Sequence, residues 1–377
     1  KSLEKKKYKY QKGKFKEGDS KYYKLIKNIE NNGIGVNKII ENENSVGIEL
    51  TQFTHGDIET IEEIILYSSL DAEITKEIKV DYRIANLRAT SNLENQLSSN
   101  LIYEKTPKTK RKLNSSNNIS FRPFLASRES FLKGALLLQN DSQYIINDGF
   151  FFSSNLKFSI WDNFDDLILP PKDTYPEQVR SDIKDYLRNF DNGIIIGRAQ
   201  FDYHFTPFKD HHFMFTAGIL EEMFSGAGVE YLYSKNSSNY AFGFEVFNVS
   251  KRDYKMRLKN GTYSNISGFL NFYYRNYNHI PFDIKLSYGE YLAGDIGSTF
   301  ELSRSFKSGT KFGVFATFTD VSKEEFGEGS FDKGIFFNVP IYQNYINYTW
   351  RPLTKDPGAR INRQHTLYDL LIKFKKI

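Results

Sequence analysis

The feature that most constrains this chain is a two-residue alternation of apolar and polar side chains, repeated from about residue 118 onward. In 313–319, Val314, Ala316 and Phe318 fall on one side, and Phe315, Thr317 and Thr319 on the other; Ile335, Phe337, Val339 and Ile341 repeat the pattern after an acidic, Gly-rich turn. In 281–290, Phe282, Ile284, Leu286 and Tyr288 oppose Asp283, Lys285, Ser287 and Gly289. In 240–247, Tyr240, Phe242, Phe244 and Val246 oppose Ala241, Gly243 and Glu245; in 152–160, Phe152, Leu156, Phe158 and Ile160 oppose Ser153, Asn155, Lys157 and Ser159. In 194–205, Ile195, Ala199, Phe201, Tyr203 and Phe205 oppose Arg198, Gln200, Asp202 and His204. Period two is the signature of a β-strand, whose successive side chains point to opposite faces. Aromatics make up 16% of the chain, 33 Phe and 25 Tyr against 2 Trp, and such residues suit a pleated surface.

A soluble sandwich also alternates. Here the apolar faces are aromatic-rich and almost uninterrupted, and Gly, Asn, Asp and Ser turns separate the segments. The opposite faces mix both signs of charge with Gly and Ser, which suits a polar lumen. Backbone groups in lipid must all be paired, and strands achieve that only in a closed barrel. The expectation is a mainly β chain, a transmembrane antiparallel β-barrel of roughly 12–16 strands. Lys157, Arg198, Asp202, Asp283 and Lys285 are then expected to face the lumen. No run of about 18 apolar residues exists, so no transmembrane helix is expected, and a mean hydropathy of −0.52 does not exclude a barrel.

The front of the chain reads differently. Residues 1–18 begin with a lysine-rich run and are expected to be a disordered basic tail. Residues 19–92 alternate helical and strand signals. Tyr22, Leu25, Ile26 and Ile29 share one helical face ending at Gly33, 36–53 reads as a hairpin around Asn44, and 56–70 as a helix with Ile58, Ile61, Ile65 and Leu66 inward. This order predicts a small α+β module. The polar, basic stretch 93–117 reads as a linker, and 118–377 as the barrel, with an insertion at 163–193. There is no cysteine, which excludes disulfides, thiolate metal sites and thiol catalysis. The chain starts at Lys1 and reads as a mature or truncated piece.

Five ordered segments resemble one known family: "DDLILPPKDTYPEQVRSDIKDYLR" (165–188), "GILEEMFSGAGVEYLY" (218–233), "GEYLAGDIGSTFELSRSF" (289–306), "FATFTDVSKEEFGEGSFDKGI" (315–335) and "RPLTKDPGARINRQHTLYDLL" (351–371). They are similar to the YjbH/GfcD family of outer-membrane proteins tied to exopolysaccharide and group 4 capsule production. Residues 20–90 also resemble the small module that precedes the barrel in that family. The resemblance implies a Gram-negative outer membrane, a periplasmic N-terminal module and a part in polysaccharide export. It brings no catalytic residues. The implied partners are membrane lipid, an anionic polysaccharide and periplasmic or outer-membrane export proteins, with no nucleic acid and no cofactor. Family members are usually longer, with a signal peptide, often a lipid-anchored start, and a further barrel-like half before the module.

Candidate chemistry is sparse. His204, Asp210, His211 and His212 cluster in sequence, but adjacent histidines on a strand diverge, which argues against a shared metal. Ser330 and Lys333 match S-x-x-K, a motif that needs one helical turn and here falls between strands. The pairs Glu221–Glu222 and Glu324–Glu325 could work as acid and base, as glycosidase carboxylates do, though neighbours on a strand point apart. In the insertion, Thr174 to Glu177 reads as a capping box with Pro176 near the helix start. The helix that follows would align Arg180, Lys184 and Arg188 in a basic ridge beside Val179, Ile183 and Leu187, fit to contact an acidic glycan or plug the pore. Glu324, Glu325, Gly327, Gly329, Asp332 and Gly334 form the turn at the barrel rim. The leading expectation is a non-enzymatic export or assembly component. The alternatives are a glycan-modifying or glycan-binding enzyme and a structural subunit of a larger envelope complex.

Overall fold

The computed structural model describes residues 9–52, 55, 58–84, 86–90, 92–93, 100–105, 112–124, 132–147, 149–171, 177–191, 193–235, 237–276, 280–306, 310–326, 331–342, 346–350 and 355–372. The first unit is the α+β module. It contains α1 (Lys21–Asn31), β1 (Ile34–Glu41), β2 (Ser45–Gln52), α2 (Ile58–Asp71), β3 (Glu77–Ile84), β4 (Leu87–Arg88) and β5 (Asn100–Glu104). Ser20 caps α1 by accepting from the Tyr23 N–H at 3.3 Å, and Gly33, at φ +80°, lets the chain reverse after it. β1 and β2 form the expected hairpin, and α2 carries the chain over to β3, which lies parallel to β2. The sheet order is β4-β3-β2-β1-β5. Leu25 and Ile29 of α1, Ile61 and Ile64 of α2, and Ile39, Ile48 and Leu50 of the hairpin bury one core.

Two boundaries and one helix face differ from the sequence reading. Residues 9–18 are held rather than free: the Gln11 and Gly13 N–H groups donate to the side chains of Asn32 and Asn28, both at 2.8 Å, and Lys12 pairs with Asp71 at 3.0 Å. Lysine content signalled a solvated run, but two buried asparagines, Asn28 of α1 and Asn32 just after it, offer acceptors to its backbone. Residues 1–8 lie outside the described residues. The presumed linker holds β5, which pairs with β1, and the first residues of β6. In α2 the buried stripe runs through Ile58, Ile61, Ile64 and Ile65, while Leu66 faces solvent.

The second unit is one antiparallel sheet of 13 strands in sequential order. It begins with β6 (Lys112–Phe124), β7 (Lys133–Asn147), β8 (Phe150–Asp162) and β9 (Ile194–Phe208). It continues through β10 (His211–Ile219), β11 (Phe224–Tyr233), β12 (Tyr240–Arg252), β13 (Asn260–Asn276) and β14 (Phe282–Glu290). β15 (Ile296–Ser305), β16 (Lys311–Thr319), β17 (Asp332–Tyr342) and β18 (Ile346–Trp350) complete it. Among the described residues β6 and β18 share no ladder, so the sheet is open between them. The module sits at one end of the strands. There the Thr206 N–H donates to the Asn86 carbonyl at 3.2 Å, and the Arg88 N–H to Thr206 Oγ1 at 2.8 Å. The connections at that end are short: 148–149, 209–210, 234–239, 277–281, 306–310 and 343–345. At the far end several are long: 125–132, 163–193, 220–223, 253–259, 291–295 and 320–331.

The polarity of this sheet is inverted. Leu286 and Tyr288 are 44% and 58% exposed on the convex side, whereas Asp283 and Ser287 between and beside them are 4% and 3% exposed on the concave side. Phe242, Phe244, Val246, Phe300, Leu302, Val314, Phe318 and Ile335 repeat the outward apolar pattern. Gln200, Asp202, Glu230, Glu245, Asn271 and Thr299 repeat the inward polar one. The faces match the sequence reading with one local exception. Ile195 is buried on the concave side because the ladder slips a residue at Gly197, where Asn155 pairs with Arg198 and Leu156 with Ile196. A bulge of that kind flips every side chain beyond it.

The revised module boundary is testable. A fragment spanning 9–105 is expected to unfold cooperatively in urea and at higher denaturant than 19–92, which lacks β5 and the docked tail. Equal midpoints would show that neither segment stabilises the module.

Candidate functional site

The concave face is occupied by two segments of the same chain. One is the insertion 163–193; the other is 355–372, referred to here as the strap, which ends in the short helix α5 (Leu367–Leu371). The insertion forms an apolar cluster at the far end. Phe164, Leu167, Val179, Tyr186, Leu187 and Phe190 pack with Leu220, Met223, Phe224, Phe247 and Leu292. Its helix, α3 (Ile183–Leu187), is a single short turn led by Asp182. Thr174 and Pro176 lie outside the described residues. At the module end, α5 joins the module's own core through Leu367, Leu370 and Leu371, and Tyr368 stacks on Tyr273 at 4.1 Å.

Between these apolar tiers lies a belt of ion pairs. Glu230 and Glu245 sit opposite one another on β11 and β12. Arg363 bridges them, with one guanidinium nitrogen 2.6 Å from each carboxylate, and Arg360 adds a 2.5 Å contact to Glu245. Glu230 also accepts the Leu367 N–H at 3.0 Å. Glu221 pairs with Arg180 at 2.7 Å and accepts the Asn362 N–H at 3.0 Å. Arg180 further donates to the Arg360 carbonyl at 2.7 Å. A single oxygen of Asp356 receives the N–H groups of Val179, Arg180 and Ser181 at 2.7–2.9 Å. Insertion and strap are therefore clasped to each other as well as to the sheet. Planar, forked guanidinium groups suit this task because each can serve two carboxylates at once.

The residues singled out from sequence distribute as follows. Lys157, Arg198, Asp202, Asp283 and Lys285 all lie on the concave side. Lys157 pairs with Glu222 at 2.5 Å, and Arg198 donates to the Leu220 and Asn362 carbonyls and to Gln364. Asp202 accepts from Thr216 and Gln200, and Asp283 pairs with Arg275 at 2.5 Å. Arg180, Lys184 and Arg188 do not form one ridge: Arg180 precedes α3 and is buried on Glu221, Lys184 is half-buried, and Arg188 is exposed. The five-residue length of α3 is the reason, since a ridge at i, i+4, i+8 needs more than two helical turns. Glu324 and Glu325 are exposed in the short helix α4 (Lys323–Phe326), where Glu325 and Ser322 cap each other. Asp332 and Gly334 are in β17, while Gly327, Gly329 and Ser330 lie outside the described residues.

The catalytic alternatives find little geometry. Glu222 is held between Arg122 and Lys157, both at 2.5 Å. Burial alone would raise its carboxyl, but those two cations hold it well below the usual carboxylate range. His211 bonds the Tyr231 hydroxyl and His212 the Thr206 hydroxyl, on opposite faces of β10. No cluster of three metal-ligating side chains occurs among the described residues. Sequence reasoning missed Glu230, Arg360, Arg363 and Asp356, and placed Glu245 on the polar strand face without singling it out. The available signal was the run "DPGARINRQH", dense in charge yet with neither helical nor strand period, against acids on inward strand positions.

Two outcomes test this belt. Arg363→Ala strands two buried carboxylates and is expected to cost about 3–5 kcal/mol in unfolding free energy, with Arg363→Lys recovering only part; an unchanged midpoint in detergent would refute the bridge. Asp295, in the 291–295 connection, accepts the Gly358 N–H at 2.8 Å, yet burial pushes its carboxyl up to about 6. The folded state therefore favours the protonated form, and stability falls as pH rises from about 4 through 6. Asp295→Asn is expected to flatten that slope in a pH series of thermal unfolding.

The family described as "Exopolysaccharide biosynthesis protein YbjH" matches residues 2–373. The chain is also 33% identical over 254 residues to the "Uncharacterized lipoprotein YjbH" of Escherichia coli (strain K12). That match covers 64% of this chain and 36% of the relative. The apolar-outside sheet, the module in front of it and a match over nearly the whole length lead to one assignment: this chain belongs to the YjbH family of exopolysaccharide biosynthesis proteins.

Proposed function

We propose that the chain is a non-enzymatic outer-membrane component of exopolysaccharide or capsule export and assembly, with its sheet in lipid and its module in the periplasm. The observation that carries this reading is the inverted polarity: rows of exposed Phe, Leu, Ile and Val outside, paired charges inside. In water that arrangement would leave a large apolar surface uncovered, whereas lipid covers it. No helix of the described residues is long and apolar enough to cross a membrane, and in this reading the strands are the spanning elements. The asymmetry of the connections supports the orientation. Outer-membrane barrels carry short periplasmic turns and longer external loops, and here the short turns are at the module end. The insertion and strap fill the concave side, which supports a plugged lumen. The exposed Leu66 and Leu70 of α2 supply a face on which export proteins of the periplasm could dock. An acidic glycan is the expected cargo. The enzyme reading is weaker, since Glu221 and Glu222 are each engaged by cations.

The test combines membrane and cell. Leu286→Arg, on the outward face in mid-strand, is expected to cost roughly 2–4 kcal/mol of folding free energy in lipid, and Lys285→Gln far less. Loss of the gene is expected to lower surface polysaccharide, wild type to restore it, and Leu286→Arg to restore little. A protein that remains folded and monodisperse without detergent would overturn the membrane reading.

A further inference from the structure

Beneath the strap, strands β12 to β17 leave a cavity of about 170 Å³ that the ion-pair belt does not fill. Its wall carries six cations, Arg180, Lys285, Lys311, Lys355, Arg360 and Arg363, against four acids. Glu245 is engaged by Arg360 and Arg363, Asp369 by Lys311 at 3.5 Å, and Glu301 and Asp332 have interactions of their own. Two of the cations keep unused capacity. Arg360 spends one terminal nitrogen on Glu245, while its other, Nη1, is buried without a hydrogen-bond partner. Lys285 forms no ion pair among the described residues; its ammonium lies 5.5 Å over the Tyr273 ring, and Glu301, opposite it in the ladder, does not close on it. A buried guanidinium N–H left unmade costs free energy, and with Glu245 and Glu301 on the same wall the cavity still carries two more cations than acids, an excess that an anionic ligand would offset. Asn338 and Gln364 add neutral hydrogen-bonding groups to the wall.

We infer that this cavity is a binding site for a single anionic sugar unit, a carboxylate- or phosphate-bearing monosaccharide, held by Lys285 and Arg360. The size fits one ring, being below the roughly 300–1,000 Å³ of pockets that enclose larger ligands. The charge supplies the selectivity: a neutral sugar gives the ammonium and the open guanidinium edge nothing to neutralise. The sugar part of the assignment rests on the exopolysaccharide reading; the anion part rests on the cavity alone.

The experiment is calorimetry on the full chain in detergent micelles, with glucuronate, glucose 1-phosphate, glucose and inorganic phosphate as probes. Glucuronate or glucose 1-phosphate is expected to bind, glucose is not, and Lys285→Gln is expected to weaken the anionic ligand at least about tenfold, as loss of one charge-assisted contact does. Lys285 takes no part in the Glu230–Arg363–Glu245 bridge, so this variant keeps the belt that holds the strap. Binding of neither anionic sugar, equal binding of glucose, or wild-type affinity in Lys285→Gln would overturn the site. Inorganic phosphate binding as tightly as both sugars would overturn the sugar assignment. None of these outcomes depends on surface polysaccharide levels, which test the parent reading separately.

Discussion

A sheet that turns its apolar side outward must solve the problem of its other side. Glu230 and Glu245 face each other on the concave surface, far from bulk water, and like charges so placed repel strongly. The solution is Arg363, inserted between them from a segment more than a hundred residues away. Removing a carboxylate from water costs several kcal/mol, and only excellent geometry with further hydrogen bonds repays it. Glu230 receives both a guanidinium and a backbone N–H, and Glu245 two guanidinium groups. The interior depends on this bridge, since it locates the strap, and the strap in turn locates the insertion.

What could be read from sequence follows from what is local. Strand period is a property of a few neighbouring residues, so the outward faces of β8, β12, β14 and β16 were legible from Phe158, Phe244, Leu286 and Phe318. The module's hairpin and helices were legible for the same reason. Misreadings arose wherever a distant partner decided the outcome. Ile195 turned inward because Gly197 absorbs a one-residue slip against Asn155. At Gly197 a Cβ would come within 2.2 Å of the Asn155 Oδ1, so the close approach suits glycine. The tail was read as free because its lysines are visible in sequence, whereas the acceptors Asn28 and Asn32 matter only once α1 has formed. Arg180 looked like part of a helical ridge; its partners Glu221 and the Arg360 carbonyl lie 41 and 180 positions away.

The candidate site was less legible than the fold, for the same reason carried further. Lys157, Arg198, Asp202, Asp283 and Lys285 were assigned the right face from alternation alone, but alternation says nothing about which charges meet. Strap residues carry no periodicity, because an extended segment threaded through a polar interior is held by individual contacts rather than by a continuous face. Arg360 and Arg363 both reach Glu245 while the Asn362 between them is held by Glu221 and Arg198. Charge density without period is a weak signature, yet it is the one such a segment leaves.

The three tiers of the interior also set how the molecule can come together. At the module end, one apolar core runs without a break from Ile39 and Leu50 of the module, through Ile145, Phe151 and Leu232 of the sheet, to Leu367 and Leu371 of the strap. At the far end, Phe164 and Phe190 of the insertion close a second core against Phe224 and Phe247. The sheet and strap residues of the first core, and the whole of the second, come together only once the strands have paired, and the belt between them is neutralised only when the strap arrives. Contacts of such long sequence separation form late and slowly. Until they form, Glu221, Glu230 and Glu245 lie along an open, hydrated trough, where water screens them and the acids cost little. Docking the strap thus brings Arg360 and Arg363 onto Glu230 and Glu245, and neutralising those acids and fixing the strap are the same physical event.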